Sequence, residues 1–170
     1  MSNPDPNHQT DPIGRVLGVL CAGFALAGGG LLLAMVLATL ASVLGRGLVA
    51  SPVPGDFELV EIGTAVAVFA FLPYGQWRRG HVIVDVFTRR AASRVRAWLD
   101  AGGALLFAVV AALLAWRLAR GGLDLARDGS ETMVLGLPLW VAFPPIAAAT
   151  LLLVAVCLHG AWRSLDDARR

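Results

Sequence analysis

Thirty consecutive residues, Val16 to Gly45, carry no charge. As a helix rising about 1.5 Å per residue, such a run exceeds the roughly 30 Å hydrocarbon core of a bilayer. Few folds tolerate it outside a membrane. Three further apolar runs follow, at about 57–75, 97–116 and 138–162, in a chain that is 57% hydrophobic with a mean hydropathy of +0.70. These values lie well above a soluble composition. The expectation is an all-α integral membrane protein: a polar N-terminal tail over 1–15, a four-span membrane domain over 16–163, and a polar tail over 164–170. The first tail holds three prolines and little basic charge, unlike a cleavable signal peptide.

Several features predict how the spans behave. Gly14, Gly18 and Ala22 repeat at four-residue spacing in the first, and Ala104, Ala108 and Ala112 do so in the third. Both sets suit close helix contacts. The triplet Gly28-Gly-Gly30 is expected to loosen the first helix. Ser51-Pro-Val-Pro-Gly-Asp56 reads as a loop. Glu58 and Glu61 then fall early in the second span, where carboxylates suit the positive end of a helix dipole. Pro73 and Gly75 are expected to end or bend that span. Arg117 to Glu131 reads as a mixed-charge loop carrying Gly121-Gly122 and Asp128-Gly129, and Pro144-Pro145 predicts a kink in the last span. The five tryptophans fall near span ends, where their rings prefer the interface.

Between the second and third spans lies the basic stretch Gln76 to Arg90. If helical, it places Arg78, His81, Asp85 and Arg89 along one side, at spacings of three, four and four, with Val82, Ile83, Val86 and Phe87 around the rest. That is an amphipathic segment at a membrane interface or under a partner. The run Val82 to Val84 favours a strand, but an unpaired strand beside a bilayer leaves its backbone unsatisfied. Lysine is absent. With four spans, ten arginines fall on the side of the termini and the central stretch, and four on the other. The positive-inside rule then makes both termini cytoplasmic and puts Glu58 and Glu61 at the outer face.

The sequence also narrows the chemistry. No Gly-x-Ser-x-Gly, HExxH, phosphate-loop or dinucleotide fingerprint is present. The net charge of +2 comes from arginines in short connections, which argues against nucleic acid. Cys21 and Cys157 lie in apolar runs outside any cluster, as small buried residues do. Haem ligation needs facing axial ligands, and only His159 lies in a span, His81 being in the central connection. Proton-coupled transport needs a mid-membrane carboxylate, whereas Glu58, Glu61 and Asp100 sit near span ends. The glutamates have two readings: partners of Arg46 or of another subunit's arginine, or solvated first-turn residues. Asp85 is expected to pair with His81 or Arg89 in a structural polar cluster.

Arg79-Gly-His-Val-Ile-Val-Asp85 resembles the R-G-H-I-x-V-D signature of the small, DctQ-like membrane subunit of TRAP (tripartite ATP-independent periplasmic) transporters. Arg46 after the first span, Gly55-Asp-Phe-Glu-Leu59 and Thr132-x-x-Leu-x-Leu-Pro-x-Trp140 match that family in order, so the resemblance spans residues 14 to 163. It implies a scaffold without catalytic activity or cofactor, seated among membrane lipid in a bacterial inner membrane and bound to a large many-span permease subunit. A periplasmic binding protein would deliver an organic acid, and an ion gradient would drive uptake. Arg46, Glu58, Glu61, Arg78, Arg79, His81, Asp85, Arg89 and Trp140 are then candidates for structural or subunit-interface roles. The competing expectation is a small redox membrane protein holding haem or quinone through His159.

Overall fold

The computed structural model describes residues 12–49, 54–79 and 93–169. They form four helices: α1 (Pro12–Val49), α2 (Asp56–Arg79), α3 (Ser93–Asp128) and α4 (Phe143–Arg169), the last preceded by a single 3-10 turn, Leu139–Ala142. All four are long and apolar enough to cross a membrane. The protein is an all-α, multi-pass membrane protein, as its apolar runs require.

Small residues set the helix contacts. In the α1–α2 hairpin Gly28 lies against α2, where a Cβ would stand 3.1 Å from the Cβ of Ala70, and Gly18 faces the Trp77 indole. In the α3–α4 pair Ala108 and Ala111 pack on Leu153 and Cys157. Cys21 of α1 meets Leu152 and Val156 of α4, flanked by Tyr74 and Trp77 of α2. Helix α4 therefore joins the two pairs. Of its most apolar window 44% is buried, against 11% for α1. Elsewhere large apolar side chains face outward, among them Leu26, Leu33, Leu106 and Leu113. A surface this apolar belongs against lipid or a partner.

Several expectations are corrected. The buried stripe of α3 is Ala108, Ala111 and Ala115, while Ala112 is exposed and Ala104 half-buried. At 100° per residue, four-residue steps drift off a face, and alternating three and four stay on it. Helix α1 runs unbroken through the glycine triplet. Helix α2 continues through Pro73, which is fully buried, to Arg79; neighbouring helices stabilise a membrane helix around such a residue. The stretch expected to loop from Arg117 is helical to Asp128, and Gly129, at φ 63°, follows its end. Pro144 and Pro145 occupy the first turn of α4, where a missing N–H costs nothing, and so begin the helix instead of kinking it.

Candidate functional site

Glycine and a carboxylate shape the start of α2. Gly55 adopts φ 73°, and its carbonyl accepts the N–H of Leu59 at 3.1 Å. Next to it, Asp56 accepts the hydroxyl of buried Ser42 at 2.6 Å, fastening α2 to the end of α1. Its other oxygen takes the N–H of Phe57 at 2.9 Å.

Glu58, two residues on, reaches across the bundle. Its Oε1 accepts the N–H of Val134 at 2.8 Å and its Oε2 that of Leu135 at 3.0 Å, with Thr132 and Met133 completing the ring of donors. Consecutive backbone amides turned inward form a nest, an anion-binding concavity. Here the anion is a side chain of the same protein. Thr132 shapes the nest: its N–H donates to the Leu137 carbonyl at 2.9 Å, and its hydroxyl oxygen accepts the N–H of Leu137 at 3.0 Å. Gly136, at φ 63°, closes the loop with an N–H donated to the Thr132 carbonyl at 3.2 Å. A bridge between Glu131 and Pro138, with Leu139 donating to Ser130 at 3.0 Å, ties its base. The Leu135 side chain then covers Gly55.

Two stretches more than seventy residues apart in sequence, Gly55 to Glu58 and Thr132 to Leu137, thus meet at one end of the bundle. Beneath it α2, α3 and α4 line a half-open cleft of about 290 Å³, with largely apolar walls and Glu58 and Glu61 among its lining.

The remaining candidates are dispersed. Arg46 is exposed in the last turn of α1 and pairs with neither glutamate. Glu58 is bound by backbone donors, a third state beside the two expected. Glu61 is exposed, and its side chain makes no hydrogen bond or ion pair among the described residues. Arg78 lies over the Tyr74 ring, 5.7 Å from its centroid, and Trp140 stands partly exposed in the 3-10 turn. His81, Asp85 and Arg89 lie outside the described residues, as does the side chain of Arg79. Ser42, Gly55, Thr132 and Gly136, which build this end, were not singled out as site residues. Gly55 and Thr132 open two of the family-like motifs, while only the turn chemistry of glycine hinted at Gly136.

At the opposite end, buried His159 lies between two indoles, with centroids 6.2 Å from Trp77 and 6.3 Å from Trp162. The buried polar side chains among the described residues are Ser42, Thr150 and His159. Ser42 is bound to Asp56, and Thr150 donates to the Ile146 carbonyl of its own helix at 2.7 Å. None of the three lines the cleft.

Among known protein families, the one described as "Tripartite ATP-independent periplasmic transporters, DctQ component" matches residues 35–167. No curated protein and no solved structure matches significantly.

Proposed function

Because the chain belongs to the DctQ component family of the tripartite ATP-independent periplasmic transporters, we propose that it is the fixed, non-transporting scaffold of such a system, holding the large permease subunit in the bacterial inner membrane. A periplasmic binding protein delivers an organic acid to the assembly, and an ion gradient drives its uptake through the large subunit. The observation that supports this role is the bundle interior: among the described residues Ser42 and Thr150 are hydrogen-bonded within it, His159 packs against Trp77 while its Nε2 makes no hydrogen bond, none of the three lines the cleft, and the charged residues sit at helix ends or on the surface. A substrate path needs polar groups turned toward it within the membrane, whereas a scaffold needs rigid ends and broad apolar faces. Both termini and the central basic stretch face the cytoplasm in this reading, which puts the Glu58 loop on the periplasmic side.

Co-expression with the large subunit and binding protein of the same system tests the role. The chain is expected to co-purify with the large subunit. Proteoliposomes holding both, supplied with binding protein and an ion gradient, are expected to accumulate substrate, and those holding this chain alone to accumulate none. Uptake by this chain alone, or a Soret band in its purified form, would overturn the proposal.

A further inference from the structure

We infer that the cleft beneath the Glu58 loop is a socket for a basic side chain of the large permease subunit, an arginine or lysine whose stem fills the cleft and whose cation meets Glu61. The inference rests on the scaffold role and assigns it a contact point. Ile62 and Ala65 of α2, Leu125 of α3, and Phe143 and Ile146 of α4 wall the cleft, so it accepts hydrocarbon. Its volume, about 290 Å³, lies just below the range of small-ligand sites, which suits one long side chain rather than paired acyl chains. Arginine and lysine have this form, an apolar stem ending in a cation.

The charge distribution selects the occupant. Glu58 also borders the cleft, but its oxygens are taken by Val134 and Leu135. The exposed Glu61 carboxylate has no polar partner among the described residues, although it stands in a membrane-crossing helix beside apolar walls. At this span end beside apolar walls, a cation that enters the cleft meets a carboxylate with no competing partner among the described residues. A lipid ammonium brings a phosphate with it, and Glu58 borders the same cleft as a second negative charge beside that phosphate. A protein cation brings none.

The whole transporter tests this. A photo-crosslinking amino acid at Ala65 is expected to capture the large subunit at a peptide containing an arginine or lysine. Glu61→Arg is expected to reduce co-purification of that subunit at least about tenfold, with Glu61→Gln falling between it and the wild type. Replacing the captured basic residue with glutamate is expected to restore assembly with Glu61→Arg. Crosslinks only to lipid or to a second copy of this chain, or wild-type assembly of Glu61→Arg, would overturn the socket and leave the scaffold role standing. Failure of the wild-type chain to co-purify would remove the scaffold role itself.

Discussion

Adjacent glycines in α3 offer a test of how its contact with α4 is built. A Cβ added at Gly122 would lie 2.6 Å from the Phe143 Cβ and 2.8 Å from its Cγ, whereas one added at Gly121 would meet only the ring edge, at 3.6 Å. The second distance is ordinary contact. The first is overlap, and because the nearest atom is the Cβ of Phe143, turning the ring does not relieve it. Either substitution gains about 0.5–1 kcal/mol by replacing glycine within a helix. Overpacking, typically about 1–3 kcal/mol, falls on Gly122 alone. The helix term cancels between the variants, so Gly122→Ala is expected to be less stable than Gly121→Ala by about 1–3 kcal/mol, and Gly121→Ala slightly more stable than wild type. Unfolding of the purified chain in mixed micelles with increasing dodecyl sulfate, followed by tryptophan fluorescence, measures both. Phe143→Ala is expected to rescue Gly122→Ala only in part, since it removes Cγ and the ring but keeps the nearest atom, Cβ. Equal stability of the two glycine variants would refute the packing argument.

Two further outcomes follow from the helix ends. Ser42→Ala removes a buried donor from Asp56 and is expected to cost about 1.5–3 kcal/mol, the range for hydrogen bonds to charged groups, in the same unfolding assay. Reporter fusions after Arg96 and after Gly129 are expected to give cytoplasmic and periplasmic activity respectively, and the reverse pattern would invert the proposed orientation.

The spans were legible because charge-free runs of bilayer length have few alternatives. What the sequence hid was the contact made by each punctuating residue. Gly121-Gly122 signals a break when the helix penalty of about 1 kcal/mol per glycine stands alone. The approach of Phe143 that favours glycine there comes from another helix. Pro144-Pro145 reads as a kink because Leu139–Ala142 is as apolar as the helix after it, so the boundary between 3-10 turn and α-helix leaves no mark in hydropathy. The motif residues of α2 and of the loop were visible one by one, but their meeting was not. The side chains of the sequence left Glu58 with Arg46, another subunit's arginine or solvent, whereas the structure supplies backbone N–H groups, which any residue but proline carries.

The Glu58 nest makes a demand that separates it from a salt bridge. A backbone amide meets each carboxylate oxygen, Val134 at Oε1 and Leu135 at Oε2, with Thr132 and Met133 beside them. Glutamine offers one acceptor and turns its NH₂ toward the other N–H, so Glu58→Gln leaves one amide facing a donor. It is expected to loosen the loop nearly as much as Glu58→Ala, whereas a solvated first-turn residue would tolerate it. Gly55→Ala attacks the same loop from below, since its Cβ would overlap Leu135 and its φ of 73° disfavours a side chain. Gly129→Ala shares only the backbone strain, at φ 63° with open space around it, and is expected to disturb the loop less. Two substitutions that release one segment do not add. The pair Glu58→Gln and Gly55→Ala is therefore expected to accelerate amide hydrogen exchange at Val134 and Leu135 by less than the product of the single effects. Wild-type exchange in Glu58→Gln, or fully multiplicative effects in the pair, would show that the loop is held by something other than this carboxylate.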